Sequence, residues 1–201
     1  MNHSGKPRRR SGGPQRAAQA RVLRIIGGTW RGRKLRFPPS AEIRPTPDRV
    51  RETLFNWLGS RVPGARCLDL FTGSGALGLE SLSRGAAHVT FVERDAAAVR
   101  ELQARLSAWG ASGAQVEHGD ALRFLGRDGG PFDIVFLDPP FDSDFLTAAA
   151  GLLEQGQWLA PGALIYVECA ARKALPPLPQ AWVATKAKQA GEVGYYLLTR
   201  A

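Results

Sequence analysis

Acid is missing from the first forty residues of this 201-residue chain, which hold 11 Lys or Arg and no Asp or Glu. Residues 41–201 carry 16 basic and 18 acidic side chains, so the net charge of +9 comes wholly from the N-terminal end. Such one-signed charge suits a polyanion, nucleic acid being the commonest, against the plainer reading of a solubilising tail. Cysteine is scarce: Cys67 and Cys169 both lie in apolar, strand-like runs, which suits buried, reduced thiols. His3, His88 and His118 are scattered without metal-ligand spacing, so no metal is expected. No apolar run near the N-terminus is long enough for a signal peptide or a membrane span, which points to a cytoplasmic protein without a membrane partner. There is no internal repeat. The length and a hydrophobic fraction of 44% suit one domain with a small appendage.

Residues 1–21 are rich in Gly, Pro, Ser and Arg and have almost nothing to bury, so they read as a disordered basic arm. Residues 22–40 read as a β-hairpin extension: a strand Val22–Ile26, then Trp30–Phe37 turning near Gly32. It interleaves Arg24, Arg31, Arg33, Lys34 and Arg36 with Trp30, a composition that suits RNA phosphates and stacked bases. An ordinary small sheet with solvated arginines is the alternative. A third segment, 41–201, opens with a helix for which Thr46 offers an N-cap and Pro47 a first position. Val50, Leu54, Trp57 and Leu58 form its apolar face, with Arg49, Arg51 and Glu52 off that stripe. From Cys67 onward strands and helices alternate, closing on a hairpin of 182–188 with 193–199. That pattern predicts an α/β fold: an open, mainly parallel sheet with helices on both faces.

In such sheets ligands bind at the carboxyl ends of the strands. The strand at Cys67 ends in Asp69-Leu70-Phe71-Thr72-Gly73-Ser74-Gly75 and opens a helix, whose free N–H groups face the turn. Gly73-x-Gly75-x-x-Gly78 matches the dinucleotide fingerprint, and Glu93 follows where ribose recognition wants an acid. The stretch therefore signals a nucleoside-bearing cofactor without saying which. Further on, Asp138-Pro139-Pro140-Phe141 follows the apolar strand Phe132–Leu137. Its two prolines lack N–H groups, so the loop offers acceptors only. The Asp138 carboxylate and the Pro139 carbonyl can hold both hydrogens of an exocyclic amine, aiming its lone pair at an electrophile, with Phe141 as a flat face for the base.

The order of the glycine turn, Glu93 and Asp138–Phe141 resembles S-adenosylmethionine-dependent methyltransferases acting on amino groups of bases. The blocks Arg24-Ile25-Ile26-Gly27-Gly28-Thr29-Trp30-Arg31-Gly32-Arg33-Lys34-Leu35 and Arg44-Pro45-Thr46-Pro47-Asp48-Arg49-Val50-Arg51-Glu52-Thr53-Leu54-Phe55 are similar to one bacterial family, the 16S rRNA (guanine(966)-N2)-methyltransferases. The resemblance implies a class I methyltransferase, Rossmann-like, with a seven-stranded sheet. It also implies S-adenosylmethionine as cofactor and 16S ribosomal RNA as partner, met in a small-subunit assembly intermediate by a monomeric enzyme. Gly73, Ser74 and Gly75 would pass the methionine part, within a site that includes Asp69, Phe71 and Thr72. Glu93, with Arg94 beside it, would bind the ribose, and Asp120 with Ala121 would flank the adenine. Thr46, Arg49 and Glu52 would close over the cofactor. Asp138, Pro139, Pro140 and Phe141 would hold the flipped guanine.

Three other readings compete. An adenine-N6 methyltransferase would use the same acceptor loop, because the loop alone does not tell one amine from the other. A nicotinamide oxidoreductase would use the glycine turn but leave the Asp138 loop without a purpose. A non-catalytic RNA-binding assembly factor would need only the basic end.

Overall fold

The structure, a computed structural model, describes residues 21–37, 46–141 and 144–201. The basic arm 1–20, the boundary at 40–41 and Arg44 lie outside the described residues. Two short strands, β1 (Arg21–Arg24) and β2 (Lys34–Phe37), precede α1 (Asp48–Leu58). There follow β3 (Arg66–Asp69), α2 (Ala76–Ser83), β4 (His88–Glu93), α3 (Ala96–Ala108), β5 (Ala114–His118) and α4 (Ala121–Leu125). β6 (Phe132–Leu137), α5 (Phe145–Gln155), β7 (Leu159–Ala170), β8 (Trp182–Ala190) and β9 (Val193–Arg200) complete the chain. No helix among the described residues is long and apolar enough to cross a membrane.

The seven-stranded sheet has the order β5-β4-β3-β6-β7-β9-β8, parallel from β5 to β7, with β9 antiparallel to both neighbours. This is the mainly parallel seven-stranded sheet the resemblance implied. Chain order reverses between β3 and β6, so their carboxyl ends flank the switch point where such sheets bind ligands. Alternation along each strand sends side chains to opposite faces. Cys67, Ile134, Phe136 and Tyr166 pack with α1, α2 and α3, whereas Leu68, Val135, Leu137 and Val167 pack with α4 and α5. Strands buried on both faces need the near-continuous apolar runs that made them legible.

The N-terminal unit departs from the sequence reading. β1 and β2 pair antiparallel with Arg24 opposite Lys34, so residues 25–33 are the connection and Trp30–Arg33 is turn, not strand. The reason lies in α2. Ile26 and Gly27 donate their N–H groups to Glu80, Thr29 donates to the Ser83 carbonyl, and Trp30 donates to the Ser83 hydroxyl. A Cβ on Gly28 would fall 1.7 Å from the Ser83 carbonyl oxygen, so this approach needs glycine. Leu23, Ile25 and Leu35 are buried in the same core as α1 and α2, docking the hairpin on the main body.

The start of α1 also differs. Pro47 occupies the N-cap, and no side chain caps the helix. The Thr46 hydroxyl instead donates to Glu168 Oε1 at 3.1 Å. Trp57 is half-buried against Tyr195, and Arg51, assigned to the solvent side by periodicity, is fully buried.

Candidate functional site

The glycine turn is held from three sides. Thr72 N–H donates to the Val92 carbonyl, Gly73 N–H to Glu93 Oε2 at 2.7 Å, and Gly78 N–H to Asp69 Oδ2 at 3.0 Å. Gly73 and Gly75 have φ of 50° and 75°, which lets the turn close without a strained Cβ. Gly78 serves packing: a Cβ there would meet the Phe91 ring at 2.2 Å. Asp69 is buried beneath the turn as a brace. Burial, opposed by the Gly78 hydrogen bond and assisted by the charge of Glu93, pushes its carboxyl up to about 7.

Glu93 is half-buried at the end of β4, with Oε1 accepting the Asp95 N–H at 2.8 Å. Each carboxylate oxygen has two acceptor positions, so both can also face a diol. Arg94 beside it is exposed, Phe71 is half-buried with its ring 6.2 Å from Phe145, and Thr72 is buried. At the end of β5, Asp120 caps α4 by accepting the Arg123 N–H at 3.0 Å, and Ala121 is buried behind it. A cleft of about 240 Å³ opens here between Val92, His118, Asp120, Arg123 and Phe124. The turn, Glu93 and Asp120 thus line three successive strand ends, β3, β4 and β5.

On the other side of the switch point lies the loop after β6. Pro139 is buried, Asp138 and Phe141 are half-buried, and Pro140 is exposed. No hydrogen bond among the described residues reaches the Asp138 carboxylate. Loss of water, then the charges of Glu168 and Asp69, raise its pKa well above the usual carboxylate range. Glu168, at the end of β7, escaped the sequence reading. It is buried, and Oε1 accepts hydrogen bonds from the Thr46 hydroxyl and from the Tyr166 hydroxyl at 2.7 Å. The signal that found Glu93, an acid closing an apolar strand, is equally present at Glu168. Through Thr46 the start of α1 is tied to this strand end, while Arg49 and Glu52 lie on the exposed side of α1.

Neither cysteine offers a nucleophile. Cys67 is fully buried and burial pushes its thiol up to about 12. Cys169 is next to Glu168 but packs into the opposite core, with its thiol also raised by burial.

The structure divides the candidate RNA-binding residues. Arg24 is exposed beside Asp48 at the start of α1, and Lys34, also exposed, is its register partner across the hairpin. Trp30 is bound to Ser83 at the far end of α2, roughly 10 Å along the helix from the glycine turn. Its ring lies 5.2 Å from that of Trp109, the C-cap of α3, and the Arg33 guanidinium covers the Trp109 ring at 5.3 Å. Arg31 is exposed in the same turn. The side chain of Arg36 lies outside the described residues. Trp30 thus stands at the end of α2 opposite to the glycine turn.

A family model described as "Conserved hypothetical protein 95" matches residues 23–199. "Ribosomal RNA small subunit methyltransferase D" of Escherichia coli (strain K12) is 51% identical over 178 residues, 89% of this chain and 90% of its own. The protein of that name from Haemophilus influenzae is 46% identical over 179 residues, 87% and 92% of the two chains. Among solved structures, "Putative methyltransferase yhhF from Escherichia coli" matches with a TM-score of 0.84 at 49% identity, covering 89% of this chain and 98% of that one.

Proposed function

The chain belongs to the conserved hypothetical protein 95 family, and from that premise we propose that it methylates the exocyclic N2 of a guanine in small-subunit ribosomal RNA, using S-adenosylmethionine. Its sheet is that of the class I methyltransferases. The reading is carried by one observation: the Asp138 carboxylate, without a hydrogen-bond partner among the described residues, precedes two prolines at the switch point of the sheet. A carboxylate and a carbonyl with no competing N–H nearby suit an amine held by both hydrogens. Guanine, rather than adenine, rests on the two N-terminal sequence blocks.

The residues present fit the cofactor. The glycine turn would take its methionine part, Glu93 its ribose hydroxyls, and Asp120 with Ala121 its adenine; Thr46, held by Glu168, would border it. S-adenosylmethionine supplies a methyl group already activated on a sulfonium. The chain's own tasks are then to hold the base with Phe141, to orient the amine with Asp138 and Pro139, and to accept a proton. Glu93→Ala should weaken S-adenosylmethionine binding by about 1–3 kcal/mol, the range of charged hydrogen bonds. Calorimetric titration checks this, and unchanged affinity would remove Glu93 from the site.

The basic end supplies attraction to phosphate. Because Arg31 and Arg33 lie away from the acceptor loop, replacing both by Ala should weaken RNA binding and flatten its salt dependence by ~0.7 per lost contact for single strands. Turnover at saturating RNA should hold. Titrations at several salt concentrations, beside methylation assays, decide this; a collapse of turnover at saturating RNA would place the turn at the reacting base. The substrate is a small-subunit assembly intermediate met by a monomer. Small-subunit RNA from cells lacking the protein should take up tritium from methyl-labelled S-adenosylmethionine, and RNA from cells possessing it should not.

A further inference from the structure

The acceptor carboxylate has a neighbour whose placement is built into the sheet. β6 and β7 pair in parallel with Leu137 opposite Val167, so Asp138, the first residue past β6, and Glu168, two residues before the end of β7, stand side by side. Phe136 and Tyr166 face the core under α1, and residues two further along a strand point the same way. Glu168 Oε1 accepts two hydroxyl hydrogen bonds, from Thr46 and Tyr166. Burial raises the pKa of Glu168, and the hydrogen bonds from Tyr166 and Thr46 oppose that rise by favouring its charged form. The groups around the pair are Asp69 from β3, Tyr166 from β7 and Tyr195 from β9, which stands opposite Glu168 in the ladder. Arg51 of α1 donates to the Thr46 carbonyl but is itself paired with Asp48 and Glu80. Asp138 thus meets a second carboxyl that has two donors where Asp138 has none among the described residues, so of the two Glu168 is the one favoured to ionise first.

We propose that Glu168 is a positioning residue for the transfer: held as an anion by Thr46 and Tyr166, it makes Asp138 the group that takes the proton the amine gives up on methylation. The proposal rests on the amine-methyltransferase reading. Once N2 has gained its methyl group it holds one hydrogen too many. An N–H bond breaks with its electron pair remaining on nitrogen, and an O–H bond forms on Asp138. After the product leaves, that proton passes to water. An adjacent negative charge disfavours a second one, so Glu168 raises the affinity of Asp138 for this proton. Burial and the charge of Asp69 act in the same direction. A base is most effective when its pKa lies near the working pH, which an isolated carboxylate does not reach.

The test is Glu168→Gln in the full-length chain, which keeps an oxygen for Thr46 and Tyr166 but carries no charge. Carbon-13 carboxyl titration without cofactor should show Asp138 losing its proton about one pH unit lower than in wild type. The acid limb of the single-turnover rate on ribosomal RNA should move the same way, because activity needs Asp138 ionised. The plateau rate should fall ~10-fold or more as the base weakens, with S-adenosylmethionine affinity and melting temperature held. Glu168→Asp should restore part of both shifts. A Glu168→Gln enzyme with an unmoved limb and an unmoved Asp138 titration overturns the role of Glu168. So does wild-type Asp138 titrating before Glu168 in the ordinary carboxylate range, a measurement that stands even where the variant does not fold. Failure of the wild-type protein to methylate ribosomal RNA would instead overturn the amine-methyltransferase reading itself.

Discussion

Asp138→Ala should bind S-adenosylmethionine with near wild-type affinity and lose turnover by ~10²–10³, the usual effect of deleting one pre-positioned hydrogen-bonding group. The glycine turn, Glu93 and Asp120 lie across the switch point on β3, β4 and β5, and none of their hydrogen bonds involves Asp138. The cofactor side should therefore be untouched. What disappears is the acceptor that orients the amine and receives its proton. Asp138→Asn separates these two tasks, since its amide oxygen still accepts a hydrogen bond but takes up no proton. Single-turnover methylation beside calorimetric cofactor binding measures both. Activity within a few-fold of wild type would remove Asp138 from the acceptor site.

The largest stability effect is expected at Glu80, far from any chemistry. This fully buried carboxylate accepts the Ile26 and Gly27 N–H groups at 2.8 Å each, holds Arg84 at 2.8 Å and faces Arg51 Nη1 at 3.6 Å. Arg51 is equally buried, and its Nη1 has no hydrogen bond among the described residues. Glu80→Ala would leave Arg51 with Asp48 as its one remaining carboxylate among the described residues and would unpair the Ile26 and Gly27 N–H groups; breaking a buried pair costs about 3–5 kcal/mol. Glu80→Ala should thus lower the melting temperature by roughly 10 °C, at the 2–4 °C per kcal/mol expected for a chain of this size. It should also loosen the hairpin connection, which would lose two of its four N–H bonds to α2 and keep those of Thr29 and Trp30 to Ser83. Thermal unfolding, with amide exchange at Ile26 and Gly27, checks both effects. A loss under about 1 kcal/mol with those amides still protected would show that the Ser83 bonds and the apolar contacts of Leu23, Ile25 and Leu35 hold the hairpin without Glu80.

Glu80 also marks where the sequence was least legible. β4 and β6 were readable to the residue because strands buried on both faces are largely apolar: Asp133 is the one polar residue of Phe132–Leu137, and Thr90 alone interrupts the run Val89–Val92 of β4. The glycine turn was legible for a related reason: few residue types fit it. Arg51 and Glu80 carry no such signal. Helical periodicity places charged residues in solvent, and only the tertiary docking of residues 25–30 on α2 makes a buried Arg–Glu pair tolerable. The hairpin connection was misplaced by the same cause, since the N–H groups of Ile26, Gly27, Thr29 and Trp30 go to α2, and beyond the two strands only Ile25 bonds across, to Arg33 and Gly32. Trp30 reads as a stacking platform from composition, yet in three dimensions it already has a partner in Trp109. Glu168 was missed although its position at a strand end resembled that of Glu93; the Thr46 hydroxyl that gives it meaning is far away in sequence.

The most direct measurement is identification of the methylated nucleoside. Small-subunit ribosomal RNA from cells lacking the protein, labelled by the purified chain with methyl-tritiated S-adenosylmethionine, would be digested and its nucleosides separated. The account predicts label in N2-methylguanosine at a single position, absent with Asp138→Ala. Label in N6-methyladenosine or in a ring-carbon methylated pyrimidine, or equal label with Asp138→Ala, would contradict it.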